Sequence, residues 1–207
     1  MPSSFTPALK LVLTAAGLAA ACGTATAACG PDTTIAPTTD YTLTFKVCDD
    51  SLVGSVTAIG TGWVAVGFGR DQYMPETDVF MAGVLPDGTV YSRDAYAQFR
   101  SPPVADASQD VQLLGATESN GVTNISFSRR LNTGDASDFD LTDGPYYILM
   151  AFNATSDTLT VRHSYADSSD FAYAFAPVPE AQAAGMLAAG LGVLVGRLRR
   201  DRSSNGR

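Results

Sequence analysis

Apolar and polar residues alternate with a period of two along this chain, and that pattern narrows its possible folds more than any other feature. Tyr41, Leu43, Phe45 and Val47 alternate with Thr42, Thr44 and Lys46, which is the signature of a strand with one buried face. Further β-like runs are expected at Leu52 to Ile59, Gly62 to Gly69, Asp78 to Leu85, Thr89 to Tyr91, Val111 to Leu114, Val122 to Ser128, Tyr146 to Asn153 and Thr158 to His163. Asp87-Gly88 and Asn120-Gly121 separate pairs of runs as hairpin turns, and Asp143-Gly144 leads into the run from Tyr146. Many short strands punctuated by turns argue for an all-β domain, a β-sandwich or barrel, and their number suits the expected immunoglobulin-like antiparallel β-sandwich. At 207 residues the chain suits one such domain plus targeting segments.

Residues 1–28 read as a secretory signal peptide: Lys10, an apolar run from Leu11 to Ala21, then Ala25-Thr26-Ala27 as a small-residue cleavage site. A lipoprotein cut before Cys22 is the competing reading, with Ala19 where a lipobox usually carries leucine. Cleavage near Ala27 or Ala28 removes Cys22 and leaves Cys29 and Cys48. An even pair in an oxidising compartment predicts a disulfide between them.

Charge excludes some partners. Residues 29–177 hold 19 Asp+Glu against 7 Lys+Arg, a net charge of −12. Like-charge repulsion then opposes both nucleic acid and anionic lipid. No Gly-x-Ser-x-Gly elbow, phosphate loop, His-Glu-x-x-His or Cys-x-x-Cys-His is present, so hydrolytic, nucleotide and covalent-haem readings have no anchor in the sequence. Asp135, Asp138, Asp140 and Asp143 offer carboxylates to calcium without the EF-hand spacing, and a solvated loop is the favoured reading of them.

His163 is the chain's one histidine. Its register with Leu159 and Val161 predicts that it ends an alternating strand and points where they point. If those two residues face the interior, the imidazole stands at the rim of an apolar cavity, as an axial haem ligand would. A surface or hydrogen-bonded histidine at a strand end is the alternative.

The stretch Gly62-Trp63-Val64-Ala65-Val66-Gly67-Phe68-Gly69-Arg70-Asp71-Gln72-Tyr73-Met74-Pro75-Glu76-Thr77-Asp78 resembles the DOMON domain, a secreted β-sandwich family. The resemblance runs on through Asp87-Gly88, Asp94-Ala95-Tyr96, Gln109-Asp110, Gly121-Val122-Thr123 and Phe127-Ser128-Arg129-Arg130 to Val161-Arg162-His163-Ser164. It covers roughly residues 40–175 and implies a DOMON-like domain over residues 29–177. Haem-binding members, such as the cytochrome domain of cellobiose dehydrogenase, hold noncovalent haem b between a methionine after the Gly-Trp strand and a late histidine. Carried over, that implies Met74 and His163 as the axial ligands of the haem iron in an exported electron-transfer protein, a carrier and not an enzyme. Met81 and Met150 read as core packing. Trp63, Phe68, Tyr73 and Phe152 are expected around the haem, with Arg70 or Arg162 on its propionates. The same family includes sugar-recognising members, so the resemblance also admits a non-haem carbohydrate- or ligand-binding module, or a matrix protein without ligand.

Val178-Pro179-Glu180, the apolar run Ala181 to Gly196 and Arg197, Arg199, Arg200 and Arg202 resemble the PEP-CTERM sorting signal, with Ala181 in place of its second proline. The apolar run is short and weakly hydrophobic beside the roughly 17–25 residues of a membrane-spanning helix. The expected organisation is residues 1–28 as signal peptide, 29–177 as the domain and 178–207 as a sorting or anchor segment. An exosortase-like enzyme is then one implied partner, and an unidentified redox partner or surface polysaccharide the other. The expected location is the bacterial periplasm, cell surface or extracellular matrix, with membrane contact through the C-terminal segment alone.

Overall fold

In the computed structural model, which describes residues 27–179, the alternating residues pair as two antiparallel sheets facing one another. One sheet has the order β1 (Thr33–Thr38), β2 (Tyr41–Cys48), β3 (Ser51–Ile59), β9 (Val122–Arg130) and β8 (Gln112–Ser119). The other has the order β11 (Tyr165–Ser168), β10 (Pro145–Phe152), β4 (Val64–Gly69), β5 (Thr77–Val84), β6 (Val90–Ala97) and β7 (Val104–Ala105), and β12 (Tyr173–Ala174) pairs with β10. Among the described residues there is no α-helix. The all-β sandwich is therefore as the alternation predicts. The expected signal peptide, apart from residues 27–28, and the apolar C-terminal run lie outside the described residues.

Turn chemistry sets the registers. Asn120 and Gly121 both take positive φ, 53° and 73°. That is the backbone of the tight hairpin turn that matches strand twist, and it joins β8 to β9 with Ser119 opposite Val122. Gly88, at φ 85°, closes the β5–β6 turn, where its amide donates to the Leu85 carbonyl at 2.8 Å.

The core lies between the sheets. Leu43, Phe45, Leu52, Val56, Ile125 and Phe127 from one side meet Val66, Phe68, Phe80, Ile148, Met150 and Phe152 from the other. Tyr41 is fully buried and satisfies its hydroxyl on the Ala65 carbonyl at 2.9 Å, as a buried phenol must.

Cys29 and Cys48 form the expected disulfide, tying the segment before β1 to the end of β2. With a sequence separation of 19 residues, the closed loop accounts for about 3 kcal/mol in the chain-entropy description. Replacing both cysteines by serine is expected to lower the unfolding free energy by that amount, read as a lower urea midpoint, without altering the fold. An unchanged midpoint would show that the unfolded chain gains no freedom when the link is lost.

One expected strand is absent. Thr158 to His163 is a turn and loop, in which the Val161 amide donates to the Thr158 carbonyl at 2.9 Å. The Asn153 side chain captures the neighbouring backbone: its Oδ1 accepts from the amides of Thr155 and Ser156 at 3.0 and 2.8 Å, and its Nδ2 donates to the Arg162 carbonyl at 2.7 Å. Local bonds of this kind compete directly with sheet pairing. The strand on that edge is β11, just beyond His163.

Candidate functional site

Strand β4 alternates large and small residues, and the two sets point to opposite faces. Val64, Val66 and Phe68 enter the core between the sheets. Ala65 and Gly67 turn to the outer face, beside Met81 and Val79 of β5 and Ala151 and Leu149 of β10, their partners in register. All residues of β4 and β5 are buried, so this part of the sheet is covered on both sides. Small side chains on the outer face lower its floor, and three loops rise around it.

The result is a cavity of about 690 Å³, within the range of small-molecule and cofactor sites. Trp63, Ala65, Gly67, Val79, Met81 and Ala151 form its floor, and Met74, Arg100, Pro102, Leu159 and His163 stand on the loops around it. Met74 and His163, distant in sequence, thus line one cavity.

Local bonds hold both residues. Met74 sits in the loop joining β4 to β5. There the Tyr73 amide donates to Asp71 Oδ1 at 2.8 Å, and Gln72 Nε2 reaches the Ser169 carbonyl at 2.9 Å. Pro75 keeps Met74 out of the helical region, and Glu76, at φ 57°, turns the chain into β5. Met74 packs against the cluster of Trp63, Ala65, Val79, Met81 and Ala97.

His163 is half-buried between two fixed neighbours. The Arg162 carbonyl is held by Asn153, and the Ser164 amide donates to the Phe152 carbonyl at 2.9 Å. Burial, with the adjacent Arg162 guanidinium adding to it, lowers the imidazole pKa from its ordinary value. Both effects favour the neutral ring, the form that binds metal.

Other expected residues fall differently. Trp63 and Tyr73 line the cavity, whereas Phe68 and Phe152 belong to the core on the opposite face of the sheet. The error is one of parity: both fall on inward positions of their strands. Arg70 is outside the cavity as well. It pairs with Asp143 at 2.7 Å and lies 4.2 Å over the Tyr146 ring. Arg162 does line the cavity, and Arg100, which no sequence pattern marks, stands there too with its guanidinium 5.7 Å from the Tyr73 ring. Met150 packs in the core as expected, but Met81 serves the cavity floor. Asn153 was also missed; an asparagine at a strand end is too common a signal to stand out.

The acidic run does not converge on an ion. Asp140 accepts from Asn132 and Thr142, Asp143 pairs with Arg70, and Asp135 accepts from the Ser137 amide at 2.9 Å. Asp138 alone turns inward, 3.6 Å from Arg129.

Comparison with known proteins matches this architecture to one family. The DOMON domain model matches residues 37–153. The putative DBH-like monooxygenase protein 2 of Homo sapiens is 36% identical over 98 residues, which are 47% of this chain and 19% of that protein. Ferric-chelate reductase 1 of Homo sapiens is 28% identical over 123 residues, 59% of this chain and 20% of that protein. The chain thus spans about a fifth of the length of these relatives. The cytochrome b domain of pyranose dehydrogenase from Coprinopsis cinerea superimposes with a TM-score of 0.50 at 20% identity, covering 65% of this chain and 77% of that one. That likeness is one of fold. A family model that spans most of the sandwich, including the β4–β5 loop that carries Met74, makes this chain a member of the DOMON domain family.

Proposed function

We propose that this chain is an exported haem b-binding electron-transfer protein, with Met74 and His163 as the two axial ligands and no catalytic role of its own. The observation that carries the reading is the meeting of these side chains in one cavity with a small-residue floor. The donor set suits the group. A thioether and a neutral imidazole satisfy low-spin iron, and the flat floor of Ala65, Gly67 and Ala151 leaves room for a planar ligand. Arg100 and Arg162 line the same cavity and would hold carboxylates such as propionates. Haem bound through both axial positions supplies one-electron exchange without an open position for substrate. The chain's own part is to exclude water, fix the imidazole through Asn153, and keep the thioether in place through the Pro75 turn.

Membership in the DOMON family and the shared fold with a cytochrome b domain support this reading. Export is supported by the Cys29–Cys48 disulfide. We assign residues 178–207 to sorting or anchoring by an exosortase-like enzyme. A sugar-binding role has one observation in its favour: the Tyr73 ring is 62% exposed at the cavity rim, where it suits stacking on a pyranose.

Filling the cavity tests the proposal. Ala151 faces the open side of the sheet, so Ala151→Phe adds bulk there without overpacking the core. The variant is expected to fold with stability within about 0.5 kcal/mol of the parent, and to bind haem at least about tenfold more weakly in titrations followed at the Soret band. Equal haem affinity in the folded variant would place the ligand elsewhere and end this reading.

A further inference from the structure

On the inner face of the same sheet, away from the cavity, three carboxylates and one guanidinium are buried together. Asp78 of β5 and Asp94 of β6 are each 2% exposed, and the side chain of Asp138, in the loop after β9, is 2% exposed. One carboxylate oxygen from each lies within 4.8 Å of the other two. Arg129 is the cation among them, 2.5 Å from Asp78 and 3.6 Å from Asp138. One guanidinium leaves these carboxylates with an excess of negative charge, and buried charge without a partner is strongly unfavourable.

Hydrogen bonding points the same way. Asp78 Oδ2 accepts from Arg129 and from the Phe139 amide at 3.2 Å, and Asp94 Oδ2 accepts from the amides of Asp110 and Val111 at 2.9 and 3.1 Å. Asp94 Oδ1 and Asp138 Oδ2, both on side chains more than nine-tenths buried, have no hydrogen-bond partner. Oδ2 of Asp106 is a third orphan, on a carboxyl whose pKa is raised first by burial and then by Asp94 and Asp138. Buried acceptors are rarely left without partners, and here three unpartnered oxygens belong to carboxyls that act on one another.

We propose that Asp78, Asp94 and Asp138, with Asp106 beside them, form a site for a hard divalent cation, calcium foremost. The donors are all oxygen, with no thiolate or imidazole among them, which selects calcium over zinc or copper. The cation would take Asp94 Oδ1 and Asp138 Oδ2 while Arg129 keeps Asp78 Oδ2, and the Asp106 carboxyl would add negative charge beside the site. It would stabilise the sandwich independently of whatever fills the cavity.

Shared protons are the competing way to balance this charge, and the two answers differ in sign. Burial first, then Asp138 and Asp78, raises Asp94 to about 6, and burial raises Asp78 to about 6 against the opposing pull of Arg129. A folded state that holds protons the unfolded chain has released loses stability as pH rises from about 4 through about 6. Calcium binds the ionised form and therefore stabilises most above that range.

The test is calorimetric titration of calcium chloride into the chelator-treated full-length chain at pH about 7.5, where free carboxyls are ionised, together with melting temperatures with and without calcium. The expected result is one calcium per chain and a higher melting temperature in calcium. Asp94→Asn and the more exposed Asp106→Asn should each weaken binding by at least about tenfold. No binding heat and no calcium-dependent shift in the parent would overturn the proposal, as would unchanged affinity in both variants. A melting temperature that climbs as pH falls and ignores calcium would assign the cluster to shared protons instead.

Discussion

Replacing Arg129 by leucine is expected to destabilise the protein by about 3–5 kcal/mol, the usual consequence of removing one partner from a buried ion pair. Arg129 leaves β9 and crosses the sandwich to Asp78 on the facing sheet, while its second amino group donates to the Phe139 carbonyl at 2.9 Å. Its guanidinium also packs 5.5 Å from the Phe68 ring. Leucine would fill part of the space but leave the buried carboxylates facing each other without a positive charge. Urea unfolding checks this directly. Adding Asp78→Leu to Arg129→Leu should restore part of the loss, since a buried pair replaced by apolar residues is often close to neutral. A loss below about 1 kcal/mol for Arg129→Leu alone would mean that the carboxylates are already neutralised and that the ion pair is not what joins the sheets here.

The second large effect concerns the ligands. In haem-loaded protein, His163→Ala and Met74→Ala are each expected to convert a low-spin spectrum to a high-spin one, because each removes one of the two strong axial donors. The two variants differ in a second property. A thioether favours ferrous iron, so Met74→Ala should also lower the reduction potential, whereas His163→Ala should loosen the haem itself and respond to added imidazole. Both residues are half-buried on loops outside the main core. Their loss is expected to cost no more than about 1 kcal/mol of fold stability. Potentiometry and urea unfolding on the same samples separate the two consequences. A low-spin spectrum that survives in either variant would mean that another side chain ligates the iron.

Local patterns carried most of the fold in the sequence. The alternation from Tyr41 to Val47, the Asn120-Gly121 and Asp87-Gly88 turns and the cysteine pair all act over a few residues or through simple counting, and each reappears in the structure. The segment from Thr158 to His163 misled for a physical reason. A loop that skirts a cavity presents an apolar residue at intervals, as a half-buried strand does, and what separates them is the backbone capture by Asn153. Alternation alone does not register that.

Met74 is legible only through family resemblance and His163 through that resemblance joined to its register with Leu159 and Val161, whereas the cavity between them has a signal of its own. Ala65 and Gly67 are small and in register on one face of β4 while Val64, Val66 and Phe68 are large on the other. Reading that parity would have sent Phe68 to the core. The buried acid cluster had no such signal. Asp78, Asp94 and Asp138 come from separate elements; the sequence offered Asp138 to calcium only together with Asp135, Asp140 and Asp143, which stay outside the cluster, and Asp78 and Asp94 do not stand out until the sheets close over them.

The most direct test of the central claim is the absorption spectrum of the full-length chain from a haem-replete host, before and after reduction with dithionite. The expected result is a Soret shift and sharp α and β bands on reduction, with the weak near-infrared band of sulfur-ligated ferric iron in the oxidised form and its loss in Met74→Ala. A featureless spectrum that persists after haem is added would contradict it, leaving a DOMON sandwich whose cavity takes a different ligand.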